Sequence, residues 1–312
     1  MRGNRGSGEA WNMPPACISV CICTYKRPDM LARTLGGVIA QDTDPDFTWE
    51  LVVVDNDELR SARTLVQDLR ASGKGKIIYD YEPIKNIALA RNRTVRNASG
   101  DLIAFIDDDE FPAKDWLRTM YRCMLENEAE GVLGPVLPDF PAGTPEWLPK
   151  SGLCDRPRNI TGSPLRAKDL RTGNALLDAK VFREDQRWFD PPLGITGGSD
   201  GVFLWRQIQK GRRFVWCDEG LVFETVPEER WPAEFYLRRK FRIGSAAGGM
   251  YRSKGNVKAV LKSVLQLFGY SVALPFTAFA GQHVWMRILT RIWFHAGCLL
   301  SFFGLTHVPN KP

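Results

Sequence analysis

The sequence predicts an α/β fold in which a mainly parallel sheet carries helices on both faces. Two observations support this prediction. Short apolar runs alternate with segments of helical periodicity through the first third of the chain, and two of those runs end abruptly in acids, at Asp55 and Asp107. Alternating strands and helices imply parallel strands joined by right-handed crossovers. In such sheets ligands bind at the carboxyl ends of the strands, where both acidic segments fall.

The elements of the first third follow from these patterns in chain order. Uninterrupted apolar runs of strand length predict buried strands, and apolar residues at turn spacing predict the helices between them. The predicted strands cover 17–24, 49–54, 76–81 and 102–106. The predicted helices cover 29–41, 61–71 and 86–97.

The later part of the chain is less regular. Residues 135–170 are rich in Pro, Gly and Arg with few apolar runs, so we expect a long functional or mobile loop. The strand pattern then returns over 171–177. The sequence further predicts a helix over 199–210, two short strands at 214–216 and 221–223, and a basic helix over 232–248.

An acidic run, Asp107-Asp108-Asp109-Glu110, directly follows the strand predicted at 102–106. Adjacent carboxylates repel one another, so we expect a cation to stabilise the cluster. Oxygen-rich clusters suit Mg²⁺ or Mn²⁺, which commonly bind one or two carboxylates together with phosphate oxygens. The alternative is a helix N-terminus with Pro112 in its first turn. We favour the metal–phosphate site, because one or two acids would suffice for a helix.

Several protein classes are disfavoured. There is no Gly-x-Gly-x-x-Gly after the first strand and no Gly-x-x-x-x-Gly-Lys-Ser/Thr, which argues against a dinucleotide dehydrogenase and a P-loop phosphotransferase. The 7 cysteines lack zinc-type spacing, and Cys21 and Cys23 lie within a predicted strand, which indicates free thiols in a reducing cytosol. Residues 1–16 are polar and glycine-rich, so we expect a disordered N-terminus without a secretory signal.

Six motifs occur in a characteristic order: Thr24-Tyr25-Lys26-Arg27, Asp55, Asn86 with Ala90-Arg91-Asn92, Asp107-x-Asp109, Thr172-Gly173-Asn174, and Gly198-Ser199-Asp200. In this order they resemble family 2 glycosyltransferases of the GT-A fold, and the resemblance extends from about residue 17 to 250. The segment 224–230 is similar to the subgroup that includes succinoglycan-type exopolysaccharide glucosyltransferases. Any one motif is weak, but the ordered set is specific.

The resemblance implies a role for each matching residue. Asp200 would be the general base, Asp109 would bind Mn²⁺ or Mg²⁺, and Asn174, Gly198 and Ser199 would contact the acceptor. Many relatives have Glu-Asp where this chain has Ser199-Asp200, so Asp200 is the sole base candidate at this motif. A single base suits direct displacement with inversion. Nucleotide-sugar binding is implied for Thr24, Tyr25, Arg27, Asp55, Asn86, Arg91, Asp107 and Asp108.

Side-chain chemistry is compatible with these roles but leaves alternatives. Asp55 can accept the imide proton of uracil, or it is simply a turn acid. Arg91, like Arg27, can pair with phosphate oxygens through a planar fork, or it is a surface charge on a helix. Asp200 or its neighbour can instead be a helix N-cap. Glu224 stands where many GT-A enzymes have a histidine near the metal, and is either an outer ligand or a partner that orients a lysine or arginine.

The C-terminal segment is basic and apolar. No acid follows Glu234, whereas basic residues continue to Lys311, and this asymmetry indicates nucleic acid or an anionic membrane as partner. The uncharged runs 263–286 and 292–308 approach the length of a bilayer span, but basic residues flank the first run on both sides. Helical periodicity favours helices that lie in the membrane interface, with packing on the catalytic domain or a second subunit as the alternative. The aromatic residues do not alternate with basic ones, so we expect no nucleic acid.

The sequence therefore predicts an inverting, metal-dependent enzyme that moves a hexose, with glucose from UDP-glucose favoured, to a lipid-linked saccharide or glycolipid. It would be a peripheral, monotopic protein on the cytoplasmic face of the membrane. The alternatives are a nucleotidyltransferase, which would need a glycine-rich phosphate loop after the first strand, and a non-catalytic binder. The expected domains are a GT-A catalytic domain over 17–250, with a nucleotide-binding half (17–110) and an acceptor half (111–250), and membrane-associating helices over 251–312.

Overall fold

The computed structural model describes residues 16–43 and 47–305. Of the N-terminal segment predicted to be disordered, residues 1–15 lie outside the described residues. The described strands are β1 Ala16–Thr24, β2 Phe47–Asp55, β3 Lys76–Tyr81, β4 Leu102–Ile106, β5 Glu110–Pro112, β6 Gly131–Leu133, β7 Val136–Asp139, β8 Asn174–Asp178, β9 Phe214–Trp216 and β10 Val222–Thr225. The described helices are α1 Pro28–Ile39, α2 Arg63–Ala71, α3 Ile87–Asn97, α4 Trp116–Glu126, α5 Trp147–Ser151, α6 Lys180–Arg183, α7 Pro191–Thr196, α8 Ser199–Gln209, α9 Ala233–Ser253, α10 Val257–Thr277 and α11 Gln282–Phe302.

The main sheet has the strand order β3-β2-β1-β4-β8-β6-β9. Its first four strands are parallel, as predicted, whereas β8 pairs antiparallel with both β4 and β6. The central strands are mainly apolar because the sheet is covered on both faces, and the buried Ser19 and Glu50 are hydrogen-bonded to each other. The sheet is thus mixed but mainly parallel, which confirms the predicted fold class.

The register of the sheet brings the motif residues to one edge. Thr24 pairs with Asp55 at the ends of β1 and β2, and Cys21 pairs with Phe105 near the end of β4. The residues that follow Phe105 therefore emerge beside Thr24, at the carboxyl ends of the parallel strands. This edge is where open α/β sheets bind ligands.

The structure argues against the disfavoured alternative for the acidic run, a helix N-terminus: a turn and β5 follow β4, and α4 begins only at Trp116. One sequence prediction is corrected. The segment 135–170, expected to be one long loop, contains β7 and α5. Trp147 and Leu148 of α5 are buried, but two adjacent apolar residues are too short a pattern for helical periodicity to register.

The chain divides into two compact units. The first comprises the described residues of Met1–Pro135 together with Asn159–Val222, and the second comprises Val136–Arg158 and the described residues from Phe223 onward. The boundary expected near residue 250 falls inside α9, which begins at Ala233 and ends at Ser253. The second unit therefore holds the whole of α9 together with the two C-terminal helices.

The second unit is built on close contact between α9 and α11. A Cβ added to Gly244 would overlap the carbonyl oxygen of Phe294, and one added to Gly248 would overlap that of Cys298. The contact positions move four residues toward the C-terminus in both helices, so the helices are parallel. The small glycine residues let the two backbones approach closely. α10 runs antiparallel to α11, since Ser263 lies 3.6 Å (Oγ–Sγ) from Cys298 while Tyr270 lies seven residues later, beside Arg291.

α10 turns most of its apolar surface outward. Leu261, Leu265 and Phe268 are exposed, whereas Val260 and Ser263 are buried. α10 is the one helix among the described residues that is long and apolar enough to cross a membrane, judged by length and composition alone. Pro275 lies within its last turn, and the helix ends at Thr277.

Candidate active site

Three consecutive acids lie at the edge of the sheet, each with a different partner. Asp108 is buried and accepts a hydrogen bond from the Thr24 hydroxyl at 2.7 Å. The Arg27 guanidinium lies 3.1 Å from Asp109 Oδ2 and 3.4 Å from Asp108 Oδ1. The structure thus brings residues of the first and fourth strand ends into one cluster.

Arg91 completes this cluster from α3. Its Nη2 lies 3.6 Å from Asp107 Oδ1, and its side chain is only 11% exposed. A surface helix charge, the alternative considered from the sequence, would be solvated instead. The Asp107 side chain is 46% exposed, so one of the three acids faces open space beside the Arg91 guanidinium.

The acidic turn is held by neighbouring polar groups. The Asp107 amide donates to Glu110 Oε2 at 3.1 Å, and the Thr34 hydroxyl lies 2.5 Å from the Glu110 carbonyl oxygen. Burial raises the pKa of the Asp108 carboxyl, against the lowering effects of Thr24 and Arg27. The cluster is therefore preorganised, with a buried middle acid that orients the loop after β1.

The loop after β1 has an unusual backbone. Lys26 has a φ of 55°, in the left-handed region that side chains other than glycine rarely adopt. Such strain often marks functional loops. The ammonium groups of Lys26 and Lys85 lie 5.3 and 4.9 Å from the centre of the Tyr25 ring. Tyr25 thus carries two nearby positive charges, a surface suited to an anionic ligand.

Asp55 is fully buried at the end of β2. Its Oδ2 accepts from the Ala62 amide at 2.7 Å and from the Tyr79 hydroxyl at 3.2 Å, and its Oδ1 accepts from the Asp57 amide at 3.1 Å. Burial raises the pKa of Asp55, although these amide bonds oppose the shift. Asp55 therefore organises the loop after β2, and its contact with a base stays a prediction.

Asn86 caps α3. Its Oδ1 accepts from the amides of Ala88 and Leu89, and its Nδ2 donates to the Pro191 carbonyl at 2.8 Å. This cap satisfies donors at the helix N-terminus. Gly194 permits the arrangement, because a Cβ there would overlap Asn86 Oδ1. Asn86 thereby fixes the helix that carries Arg91, and its own contact with a donor stays a prediction.

Asp200 lies in the first turn of α8. Its carboxylate accepts from the amides of Thr172 at 3.4 Å and Gly201 at 2.9 Å. The N-cap residue is Gly198, with a φ of 93°, and no side chain caps this helix. Ser199, at the first helical position, is buried. Asp200 is thus neither the helix cap nor fully buried, which leaves its carboxylate positioned for chemistry.

The segment Thr172–Gly173 joins the base candidate to the acids. A Cβ on Gly173 would come within 2.8 Å of Glu110 Oε1 and 3.2 Å of Asp107 Oδ2, so only glycine lets the backbone pass there. The adjacent Thr172 is buried, and its hydroxyl has no hydrogen-bond partner among the described residues. Asp200 therefore adjoins the Asp107 cluster through two consecutive residues.

Asn174 has a structural role. It is fully buried, its Oδ1 accepts from the Trp116 indole at 2.8 Å, and its Nδ2 donates to the carbonyls of Pro135 and Gly220. All of its polar atoms are used inside the fold. Asn174 therefore links β8 to the loops at Pro135 and Gly220, and its contact with an acceptor stays a prediction.

Asp185 was missed from the sequence. Buried beyond β8, it accepts hydrogen bonds from Arg206 and Gln207 of α8 and from Lys210, the residue that caps the C-terminus of this helix. It thereby fastens the helix that carries Asp200. Its neighbours in the sequence are charged and show no motif, so only the three-dimensional contacts identify it.

Glu224, in the second unit, is held by two arginines. Its Oε2 pairs with Arg156, and its Oε1 lies 2.6 Å from Arg230 Nη1. Of the two roles considered from the sequence, this arrangement matches a carboxylate that orients basic side chains.

The fold and the acid-rich edge of its sheet define a class, the glycosyltransferases of the GT-A fold. Similar folds occur in the S. aureus TarS complex with UDP (TM-score 0.53, 17% identity, 70% of this chain and 63% of that one). Another is a mannosyltransferase from Pyrobaculum calidifontis in complex with GDP-Man and Mn²⁺ (TM-score 0.57, 15% identity, 94% of this chain and 90% of that one). At these identities the likeness shows the fold alone.

The family model "Glycosyl transferase family 2" matches residues 19–185. The chain is 32% identical to the succinoglycan biosynthesis protein ExoM of Rhizobium meliloti, over 93% of this chain and 94% of that protein. It is also 33% identical to a glucosyl-dolichyl phosphate glucuronosyltransferase of Haloferax volcanii, over 43% of this chain and 42% of that protein. The chain belongs to glycosyl transferase family 2 and is a glycosyltransferase, which excludes both alternatives weighed from the sequence.

Proposed function

We propose that this enzyme transfers glucose from UDP-glucose, with inversion, to a hydroxyl of a lipid-linked saccharide or glycolipid used in cell-surface polysaccharide synthesis. The observation that carries the proposal is the continuous site formed by Asp107–Asp109, Gly173 and Asp200 at one edge of the sheet. Two guanidinium groups, of Arg27 and Arg91, already lie against the acids. This arrangement offers cations to a diphosphate and a carboxylate to an attacking hydroxyl.

The donor would bind where the first, second and fourth strands end. Arg27 and Arg91 each provide a planar fork that can exchange a carboxylate for a diphosphate oxygen. Tyr25, with Lys26 and Lys85 beside its ring, would contact the same diphosphate. The loop that Asp55 holds would carry the uracil base. The finding of UDP in TarS supports the choice of nucleotide.

The acids suit a divalent ion. No group of three or more His, Cys, Asp or Glu residues placed to hold a metal occurs within 16–43 and 47–305. Mg²⁺ and Mn²⁺ do not require such a cage, since they bind through one or two carboxylates plus phosphate oxygens. Asp109 would hold the ion, with Asp107 beside it. When bound, it would supply Lewis-acid neutralisation of the departing diphosphate.

The transfer step needs one base. The acceptor hydroxyl oxygen forms a bond to the anomeric carbon as the bond from that carbon to the diphosphate oxygen breaks, and UDP departs with the bonding electron pair. The hydroxyl proton passes to Asp200, which can serve as general base because its carboxylate accepts only two backbone amide contacts in the described structure. Attack from the face opposite the leaving group inverts the anomeric carbon.

The acceptor would be presented at a membrane. The apolar residues exposed on α10, with Lys258 and Lys262 between them, form a surface suited to the interface of an anionic bilayer. A relative that acts on glucosyl-dolichyl phosphate shows that a similar chain can use a lipid-linked acceptor. A peripheral position on the cytoplasmic leaflet would give access to both lipid acceptor and soluble donor.

Calorimetry of UDP, GDP and CDP binding, with and without Mn²⁺, tests the proposal. We expect UDP to bind more tightly than the other nucleotides and at least tenfold more tightly with Mn²⁺. Incubation with radiolabelled UDP-glucose and a membrane lipid extract should then label a lipid-soluble product. Metal-independent binding, preference for another nucleotide, or labelling only from a different UDP-sugar would each overturn the corresponding part of the proposal.

A further inference from the structure

The second unit contains a strongly basic pocket, and its lining residues are none of those assigned above to the donor, the metal or the general base. Its volume is about 720 Å³. Two carboxylates, Asp155 and Glu224, line it together with six cationic side chains: Arg156, Arg230, Arg238, Arg239, Lys240 and Arg242. Such an excess of positive charge in a concave site attracts anions.

The two carboxylates do not neutralise this charge. Glu224 is shared by Arg156 and Arg230, and Arg238 pairs with Glu234 on its own helix. Arg239, Lys240 and Arg242 form no ion pair with any acid in the described part of the chain. Glu224 thus positions two arginines at the pocket while three further cations stand without a partner acid.

Lys240 lines the pocket next to Arg239, so two positive charges stand side by side there. It is half-buried, and burial lowers its pKa, with further lowering from Arg239 and Arg291. An anion bound in the pocket would offset the electrostatic repulsion among these positively charged side chains. A phosphate or diphosphate suits the site, because guanidinium forks bind its oxygens in pairs.

Apolar groups surround the same site. Leu153, Val226, Phe235 and Ile243 line the pocket beside the cations. The Arg291 guanidinium donates to the hydroxyl of Tyr270 on α10 at 3.1 Å, and the positive charge of Arg291 also lowers the pKa of Lys240. This places the second half of α10, with exposed apolar side chains at 268, 272 and 276, at the pocket end of the helical bundle.

We propose that this pocket binds the phosphate or diphosphate headgroup of the lipid-linked acceptor, with the first part of the prenyl chain against the apolar lining. This inference rests on the proposed function, which requires a lipid-linked acceptor. The ligand would be a phosphorylated amphiphile. Its phosphate oxygens would pair with Arg239 and Lys240, and its hydrocarbon chain would continue toward the exposed face of α10.

Binding of farnesyl diphosphate and of inorganic pyrophosphate to the full chain in neutral detergent tests the proposal. We expect farnesyl diphosphate to bind at least tenfold more tightly than pyrophosphate, because only it contacts the apolar lining. Equal affinities would identify a site for free phosphate and overturn the lipid assignment. Failure of both to bind would overturn the proposal altogether.

A double variant, Arg239→Gln with Lys240→Gln, separates this pocket from the donor site. We expect it to bind farnesyl diphosphate at least tenfold more weakly and to raise KM for a lipid-linked acceptor, while UDP affinity and KM for the donor stay unchanged. The matched control, Lys74→Gln with Lys180→Gln, removes the same charge from exposed positions of the first unit and should leave farnesyl diphosphate binding intact. An equal loss of UDP binding in the pocket variant would assign the pocket to the donor and overturn the proposal.

The two hypotheses fail in different ways. If the wild-type chain binds farnesyl diphosphate but not UDP, the proposed donor is wrong and the headgroup pocket stands. If it binds UDP and transfers glucose to a soluble acceptor as well as to a lipid-linked one, with no effect of the pocket variant, the headgroup pocket is wrong and the transfer function stands.

Discussion

Neighbouring acids at the edge of the sheet differ in their physical state. Asp108 is buried against Thr24, where burial raises its pKa, whereas the Asp107 side chain is 46% exposed. Asp109 lies between these extremes and faces Arg27. Asp108 is thus structural, whereas Asp107 and Asp109 can face a ligand. The difference arises from the side of the turn on which each carboxylate lies.

Substitution of Asp109 tests the metal assignment. We expect Asp109→Ala to weaken UDP binding in Mn²⁺ at least tenfold and to reduce transfer, because the ion would lose its carboxylate ligand. Calorimetry with and without Mn²⁺ measures the effect. Asp115→Ala is the matched control, since that exposed acid precedes α4 without capping it. If Asp109→Ala keeps the full metal dependence of UDP binding, another residue holds the ion.

Substitution of Asp200 tests the base. Asp200→Asn keeps the size of the side chain and can keep one of its two backbone amide contacts, but it cannot accept a proton, so we expect kcat to fall by about 10²–10⁴ with unchanged UDP affinity. Asp190→Asn is the control, because that exposed acid precedes α7 without a side-chain cap. Near-normal turnover of Asp200→Asn would show that the base lies elsewhere.

At the scale of elements, α8 depends on Asp185. Burial alone would raise the pKa of this acid, but hydrogen bonds from Lys210, the Arg187 amide and Gln207, with the charge of Arg206, outweigh burial and hold its pKa well below the ordinary value. When the pKa of an acid is lower in the folded state than in the unfolded state, the ionised acid stabilises the fold. This stabilisation is complete at pH values above the pKa of the unfolded state, and it is lost as the pH falls toward the pKa of the folded state.

We therefore expect Asp185→Asn to reduce the free energy of unfolding by about 2 kcal/mol at pH 7, since it removes a charged acceptor of several bonds. The difference from wild type should narrow as pH falls below about 4, the ordinary pKa of aspartate. Thermal unfolding of both proteins, followed by circular dichroism at pH 7 and again below pH 4, measures this difference. Glu184→Gln, a substitution of the exposed neighbouring acid, is the control, and an undiminished difference at low pH would contradict the assignment.

The contact between α9 and α11 provides a second test at this scale. A Cβ on Gly248 would overlap the Cys298 carbonyl oxygen, whereas one on the adjacent Gly249 meets only Ser301 Oγ, at 3.6 Å. We expect Gly248→Ala to destabilise the second unit by about 2 kcal/mol through overpacking. Gly249→Ala should be neutral or stabilising by up to about 1 kcal/mol, as alanine favours a helix. Equal unfolding temperatures for the two variants would contradict this packing.

At the scale of the whole molecule, the charge asymmetry of the chain predicts membrane attachment. We expect the full chain to float with vesicles that contain phosphatidylglycerol and to be released by salt. Lys258→Gln with Lys262→Gln should weaken this binding roughly 30-fold, because each surface lysine contributes about 1 kcal/mol. Exposed Lys74 and Lys180 of the first unit, replaced in the same way, serve as the control. Equal binding to neutral vesicles, or no effect of the α10 variant, would contradict an electrostatic contribution from α10.

The sequence by itself determined the α/β class, the four parallel strands and the place of the acids. These follow from local patterns: a buried strand must be apolar throughout, and polar residues directly after it must emerge at its end. The observed bounds of β3, Lys76–Tyr81, and of β4, Leu102–Ile106, coincide with the predicted ones for this reason. Order of motifs along the chain also identified the family.

Only the tertiary structure decided which polar side chains are structural. Asn174 and Asn86 match motif positions, yet the Nδ2 group of each donates to a backbone carbonyl distant in sequence, that of Gly220 and that of Pro191. The basic pocket has the same origin, because it joins side chains of 154–156 to α9. Local periodicity reports the burial of a residue's own segment, whereas hydrogen-bond partners and charge clusters depend on which distant segments the fold brings together.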